Sequence, residues 1–348
     1  MQKPFSAKEL DHMEHHRTKH ISTIFRMNGF YQKETSSRLL CGKYECKMKS
    51  GMKNPKGATL AAFSEIDVQR FKSPPHKKPG DLWGFFSKES QNHISRRAIQ
   101  SAWNGMFNYS VTFNRGDKAN YHVFRARLKR KPFPTTIHFY PKPRMKELRA
   151  LWFVSHCTDK KSANAIYSGR EKYVLELSRH IDIDIFSSPE TQFCRSTLGT
   201  LVKDANMTEP AFEDYMFYLS FENNNCQDYI TEKFWKVLES NSTTIPVALG
   251  GVSIRDYEIV APPNSFIHVK NFSSPAALVK HLQYVAENDD AFHYYNQWRN
   301  EFDLITYHKG NHGGRAVIGG ASKSRAVIGG APKSRAVIGG GVGSKIAA

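Results

Sequence analysis

The chain has 348 residues, enough for about two domains of ordinary size. Hydrophobic residues make up 40% and aromatic residues 12%, which excludes a wholly disordered chain or a coiled coil. Fifty Lys and Arg residues against 32 Asp and Glu residues give a net charge of +18, which favours an anionic partner: a nucleic acid, a membrane surface or a phosphorylated small molecule.

Residues 1–55 are polar, His-rich and basic, and we predict that they form a poorly ordered stem. They contain neither a signal peptide nor a membrane anchor, so membrane association is expected only through an anchor absent from this sequence. From Phe63 to Phe113, short apolar runs alternate with turn residues, which predicts a first α/β domain over 56–148. That domain includes a basic, proline-rich linker, Arg125 to Lys146, which is expected to be extended and exposed.

A second domain is predicted over 149–303, where apolar runs alternate with amphipathic segments as in βαβ units. The predicted strands are 150–155, 181–186, 215–221, 244–249 and 266–269, and the predicted helices are 170–180, 229–239 and one that Ser274 and Pro275 begin. This pattern predicts a doubly wound parallel sheet, which binds ligands at the carboxyl ends of its strands.

The tail, 304–348, is basic and of low complexity, and a short motif repeats from Arg315, Arg325 and Arg335. We expect this tail to be disordered, with a repeated binding motif as the alternative.

Five cysteines are too few for a disulfide scaffold, and their spacing matches no metal site. Cys41 and Cys46 could pair locally. Four N-glycosylation sequons favour the secretory route, at Asn108, Asn206, Asn241 and Asn271.

The densest chemical signal runs from Tyr218 to Lys236 and predicts a strand, a polar loop and a helix that Asp228 caps. Tyr229, Glu232 and Lys233 would then share one face near the positive end of that helix, where an anion is stabilised. Lys233 would neutralise a phosphate, Glu232 would accept hydrogen bonds from ribose hydroxyls, and Tyr229 would stack on a base. The alternative is a solvated Glu232–Lys233 ion pair beside a tyrosine that only packs.

This stretch resembles the donor-binding motif of the α1,3-fucosyltransferases, whose signature is Phe-Glu-Asn followed by Asp-Tyr-Ile-Thr-Glu-Lys. Further segments resemble the same family in chain order: 82–90, 103–113, 152–157, 170–174, 245–247, 263–269 and 295–299. The resemblance covers residues 63–302 and implies an α/β fold of the GT-B type, with two Rossmann-like doubly wound domains facing a cleft.

The resemblance also implies an activity: an inverting α1,3-fucosyltransferase of the Golgi lumen that moves fucose from GDP-fucose to the 3-hydroxyl of N-acetylglucosamine on glycans. Such a reaction needs a base for the acceptor hydroxyl, positive charge for the departing GDP and exclusion of water. Glu89, matched to the glutamate of the family's Glu-Ser-Pro motif, is the predicted base, and an ordinary surface carboxylate is the alternative. The predicted donor-binding residues are Arg170, Asn223, Tyr229, Glu232 and Lys233. For Arg170, the alternative is an exposed helix charge.

No metal and no other cofactor is predicted. Asp182 and Asp184 resemble a metal-binding pair, but they alternate within a predicted strand, and the resembling family uses no such pair. The segment Asn114 to Ala119 departs from the family's usual arginine pair and Asp-Ser-Asp run, which is expected to weaken acceptor binding or domain contact.

Two other functions fit part of the pattern: a catalytically impaired relative that still binds GDP-fucose, and a basic nucleic-acid-binding protein. The second lacks any recognisable nucleic-acid-binding module. The motifs leave open whether the acceptor is the innermost N-acetylglucosamine of an N-glycan or an outer, Lewis-type unit.

Overall fold

The structure is a computed structural model that describes most of the two predicted domains. The described residues are 24–27, 35–41, 44–50, 60–70, 73–90, 101–115, 127–132, 137–143, 148–154, 157, 168–187, 194, 198, 202–203, 212–240 and 242–305. They form two six-stranded sheets and a two-stranded ribbon.

The first sheet contains the six strands nearest the amino terminus: β1 (Ile24–Met27), β2 (Thr35–Cys41), β3 (Tyr44–Ser50), β4 (Leu60–Ser64), β5 (Leu82–Phe86) and β6 (Tyr109–Val111). Their order across the sheet is β2-β3-β1-β4-β5-β6, with β2 and β3 antiparallel and the other neighbours parallel. Helix α1 (Glu65–Arg70) follows β4 directly. Aromatic packing forms the core of this sheet, since the Phe63 ring lies 4.7 Å from that of Trp83 and 5.5 Å from that of Trp103.

The strands β1 to β3 differ from the poorly ordered stem expected over 1–55, because they belong to the first sheet. Residues 1–55 are polar and basic as a whole, and this overall composition conceals the short strands within them: β3, for example, alternates apolar and polar residues from Tyr44 to Lys49. In the β2–β3 register, Cys41 lies opposite Tyr44 and Cys46 opposite Leu39, so the two cysteines that could pair locally are not cross-strand partners.

The second sheet follows β7 (Arg127–Arg130) in the chain and confirms the predicted doubly wound parallel fold. It contains β8 (Arg149–Val154), β9 (Asp182–Ser187), β10 (Val202–Lys203), β11 (Phe217–Phe221), β12 (Ile245–Leu249) and β13 (Ile267–His268). The order β10-β9-β8-β11-β12-β13 is parallel throughout. Chain order reverses between β8 and β11, and such a switch point is where doubly wound sheets bind ligands.

Six helices accompany this sheet in the described part of the chain: α2 (Arg170–Leu177), α3 (Glu232–Glu239), α4 (Arg255–Glu258), α5 (Pro275–Glu287), α6 (Asp289–Asn296) and α7 (Trp298–Glu301). The predicted start of α5 is confirmed, because the Ser274 hydroxyl accepts a hydrogen bond from Ala277 N at 3.1 Å and Pro275 occupies the first turn. Every residue of β11 and β12 is buried, as expected for central strands covered on both faces.

The linker between the sheets contains β7, which pairs antiparallel with the last strand, β14 (Phe302–Ile305). Beyond β7, the linker is tied to the second domain by further hydrogen bonds: Lys131 N to Glu301 O at 2.7 Å, His138 N to Asn300 Oδ1 at 3.1 Å, and Thr243 Oγ1 to Pro141 O at 2.8 Å. The segment is predicted to be exposed, and Phe139 within it is 77% exposed.

A disulfide joins Cys157 to Cys194, with Cα atoms 4.9 Å apart. None of the helices in the described ranges has the length and apolar character that crossing a bilayer requires. The repeats that begin at Arg315 lie outside the described residues.

Candidate active site

Arg170 lies at the switch point between β8 and β11. It is the first residue of α2, and its side chain is only 4% exposed. Its Nη1 donates to the carbonyl oxygen of Phe221, the last residue of β11, at 3.1 Å, and its guanidinium lies 5.8 Å from the Trp152 ring centroid. The alternative of an exposed helix charge is therefore wrong, and a buried cation stands at the ligand-binding edge of the sheet.

The loop after β11 is organised around the fully buried carboxylate of Glu222. This carboxylate accepts hydrogen bonds from Thr231 N at 2.7 Å and from Thr231 Oγ1 at 2.8 Å, and Lys233 Nζ lies 3.4 Å from it. Burial raises the pKa of the Glu222 carboxyl, while the Lys233 charge and the Thr231 donors act in the opposite direction. These contacts close the loop onto its own strand and place Lys233 at the start of α3.

The predicted cap of α3 is wrong. The helix begins at Glu232, and Thr231 caps it by accepting from Lys233 N at 3.4 Å. Asp228 has a left-handed backbone, with φ of 64°, and its carboxylate binds Arg115 of the first domain instead. Because Glu222 holds Thr231 at the helix start, Tyr229 precedes the helix and does not share a helical face with Lys233.

Tyr229 lies where the two domains touch. Its buried ring packs edge to face against Phe113 of the first domain, with centroids 4.9 Å apart. Burial raises the pKa of the Tyr229 hydroxyl, and the carboxylates of Glu222 and Glu89 raise it further, so charges from both domains act on this tyrosine. A protein ring thus covers Tyr229 on one side, and its stacking on a nucleotide base stays a prediction.

The predicted base, Glu89, lies in the segment that follows β5 of the first sheet. Its side chain is exposed, while its main-chain N–H donates to the buried Ser87 hydroxyl at 3.2 Å. The Glu89 charge raises the pKa of Glu65 in the first domain and the pKa of Tyr229 in the second, so both groups lie within its electrostatic range. The role of Glu89 as the base stays a prediction.

The other two predicted donor residues belong to the same loop and helix. Asn223 follows Glu222 and is partly buried, and Glu232 Oε1 lies 3.4 Å from Lys233 Nζ. The structure therefore brings four of the five predicted donor residues to the ends of β8 and β11 and the first turns of the helices that follow: Arg170, Asn223, Glu232 and Lys233.

Two residues of this site were missed by sequence reasoning, Glu222 and Gly250. A Cβ atom on Gly250 would lie 2.6 Å from Tyr257 Oη and 2.8 Å from Glu222 Cγ, so a side chain there would displace the buried carboxylate. The signal was present in the sequence: a glutamate directly after a mostly apolar strand, and a glycine directly after the next one.

Asp182 and Asp184 lie at the amino-terminal half of β9, away from the carboxyl edge of the sheet. Arg149 pairs with both, at 3.2 Å from Asp182 and 2.9 Å from Asp184, and the Tyr215 hydroxyl donates to Asp184 at 2.7 Å. These contacts explain the alternating pair as a structural ion-pair cluster. Across the described ranges, no group of three or more His, Cys, Asp or Glu side chains is arranged to hold a metal.

Comparison with known proteins identifies the family of this chain. Residues 143–316 match the profile of "Glycosyltransferase family 10 (fucosyltransferase) C-term". This match covers the second sheet and the whole loop that carries Glu222 and Lys233. The chain belongs to glycosyltransferase family 10.

Curated relatives and a solved structure are similar to the chain. It is 37% identical over 168 residues to "Glycoprotein 3-alpha-L-fucosyltransferase A" of Drosophila melanogaster, covering 47% of this chain and 30% of that protein. It is 31% identical over 231 residues to "4-galactosyl-N-acetylglucosaminide 3-alpha-L-fucosyltransferase 9" of Mus musculus, covering 66% of this chain and 55% of that protein. The chain thus spans 30% and 55% of the length of these two curated relatives. A crystal structure of an α1,3-fucosyltransferase aligns with a TM-score of 0.48 at 16% identity, over 84% of each chain.

Proposed function

We propose that the chain is an inverting α1,3-fucosyltransferase that moves fucose from GDP-fucose to the 3-hydroxyl of N-acetylglucosamine on glycans. The proposal rests on one observation: Arg170, Glu222 and Lys233 all lie at the switch point of a doubly wound sheet. Membership of a fucosyltransferase family and the names of the relatives support the choice of sugar.

The donor pyrophosphate would lie at the carboxyl ends of β8 and β11. Lys233 and Arg170 are cations at that edge, and the first turn of α3 adds the positive end of a helix dipole. Developing negative charge on departing GDP would be stabilised by these groups, which are held in place before the reaction. Asn223 and Glu232 would bind the donor's polar groups, and Tyr229 would complete the site next to Phe113.

Glu89 would take the proton from the acceptor 3-hydroxyl. The acceptor oxygen then forms a bond to the fucosyl carbon as the bond from that carbon to the GDP oxygen breaks on the opposite face, which inverts the configuration. A carboxylate on the first domain suits this role, because the donor groups are on the second domain.

The donor site is tested by Lys233→Ala. If Lys233 neutralises the pyrophosphate, its loss should weaken GDP binding by more than about 1.5 kcal/mol, the lower range for a charged hydrogen bond. Titration calorimetry on the full chain measures this, with urea unfolding to show that the variant is folded.

Lys236→Ala is the matched control, because Lys236 is exposed on the same helix and should leave GDP affinity unchanged. GDP affinity of Lys233→Ala equal to that of the wild type would remove Lys233 from the site. A wild-type chain that binds GDP-fucose but transfers no sugar would instead be a catalytically impaired relative.

We propose that the reaction needs no metal, since Lys233, Arg170 and the helix start supply the positive charge. Activity should therefore survive dialysis against EDTA, measured as fucose transfer before and after chelation. Loss of all turnover that manganese restores would overturn this assignment and direct attention to carboxylates of the site.

We propose that the enzyme works in the Golgi lumen on a glycan or glycoprotein acceptor. The Cys157–Cys194 disulfide supports this, because disulfides persist in oxidising compartments, and the sequon at the exposed residue Asn271 fits the same route. A panel of core-type and Lewis-type glycan acceptors would identify the preferred class.

A further inference from the structure

Two aspartates of the second domain are buried at the edge where we place the donor. Asp228 lies in the loop after β11, and Asp256 lies in α4 after β12, with side chains only 7% and 6% exposed. Because β11 and β12 are adjacent parallel strands, the loops that follow them meet at one edge of the sheet. Two buried negative charges without compensation would oppose the packing of these loops.

Arg115 of the first domain compensates both charges. Its main-chain N–H donates to Asp228 Oδ2 at 3.2 Å, its Nε donates to Asp228 Oδ1, and its Nη2 lies 3.4 Å from Asp256 Oδ1. A planar guanidinium can bind two carboxylates at once, whereas a lysine ammonium lacks this fork of donors. One side chain therefore joins two loops of the second domain to each other and to the first domain.

Each aspartate also sets the backbone of its own loop. Asp228 has a φ of 64°, a region that costs energy for a residue other than glycine and persists only where contacts hold it. Asp256 Oδ2 accepts from Val252 N at 2.8 Å and Ser253 N at 3.2 Å, which closes the turn after β12. Arg115 thus binds the two residues that determine the shapes of these loops.

We propose that Arg115 is a positioning residue for the donor site, which holds the loops after β11 and β12 in one arrangement and attaches them to the first domain. It acts through Asp228, which precedes Thr231, the residue that caps α3 and contacts Lys233. The expected effect on the donor rests on the proposed function. The contacts of Arg115 with Asp228 and Asp256, here called the Arg115 clamp, do not. Arg115 belongs to the segment Asn114 to Ala119, whose departure from the family pattern predicts weaker acceptor binding or weaker domain contact, and Arg115 itself makes a contact between the domains.

The experiment compares Arg115→Met, Arg115→Lys and the control Arg255→Met in the full chain. Arg255 is an exposed arginine of α4 whose ion pair with Glu258 lies at the surface. In Arg115→Met, amide hydrogen exchange at 222–231 and 250–256 should be at least about tenfold faster, with exchange in α5 unchanged. The GDP dissociation constant and the KM for the donor should rise at least about tenfold, while the KM for the acceptor stays within about twofold. Arg255→Met should change none of these.

Arg115→Lys distinguishes loss of the Arg115 clamp from a general loss of stability. In this variant, the amides of 222–231 should stay better protected from hydrogen exchange than those of 250–256. A single ammonium is expected to bind Asp228 and to release Asp256. If Arg115→Met fails to fold, Arg115→Lys carries the comparison alone. Exchange in both loops equal to that of the wild type, in whichever variant folds, would overturn the proposal. A wild-type chain that does not bind GDP would refute the proposed function, and hydrogen exchange would still decide the role of Arg115.

Discussion

Replacing Glu89 by Gln should reduce fucose transfer by at least about a hundredfold and leave GDP affinity nearly unchanged. The substitution keeps the size of the side chain and removes its basicity, and general-base help is typically worth about 10² to 10⁴ in rate. Glu89 belongs to the first domain and is exposed, so its loss should not disturb the loop that holds Lys233. The measurements are kcat from initial rates with saturating donor, and GDP affinity by calorimetry.

Glu176→Gln is the matched control, because Glu176 is an exposed carboxylate of α2 paired at 3.0 Å with Arg179. It should transfer fucose at the wild-type rate. A Glu89→Gln variant with turnover within about threefold of the wild type would show that Glu89 is not the base, and the assigned role of the first domain would fall with it.

Replacing Glu222 by Ala should lower the free energy of unfolding by about 3–5 kcal/mol, the usual cost of removing one partner of a buried ion pair. The change leaves the N–H and hydroxyl of Thr231 without their acceptor and deprives Lys233 of its buried counter-charge. Urea unfolding followed by fluorescence measures the loss. GDP binding should weaken as well, because Thr231 and Lys233 begin α3.

The comparison variant is Glu258→Ala, which removes an exposed carboxylate paired with Arg255 and should cost less than about 1 kcal/mol. A loss below about 1 kcal/mol for Glu222→Ala would mean that Thr231 and Lys233 do not depend on the buried carboxylate. The account of how this loop is held would then be wrong.

The central strands could be predicted from the sequence because parallel strands covered on both faces are continuous apolar runs. The predicted bounds of β8, β11 and β12 lie at most two residues from the observed ones. The strands β1 to β3 lie in a stretch whose overall polar and basic composition predicted a poorly ordered stem, although β3 alternates apolar and polar residues from Tyr44 to Lys49.

The candidate site was predictable in its residue types but not in its local geometry. Asp228 and Thr231 are both good helix caps, and the sequence contains no local feature that chooses between them. The choice depends on Arg115, which is 113 residues away from Asp228 in the chain, and on Glu222, which holds Thr231. Contacts of this range are set by the tertiary fold, so local propensity alone placed the start of α3 too early.

The pairing of β7 with β14 has a consequence for domain exchange between relatives. Arg127–Arg130, His138 and Pro141 bond to residues of the second domain, namely β14, Asn300 and Thr243, although the chain reaches them before β8. A chimaera cut at the sequence-based boundary of 148 and 149 would combine these residues from one parent with their binding surface from another. Cutting before Arg127 keeps both halves of that contact from the same parent, so acceptor-side domains should be exchanged at that point.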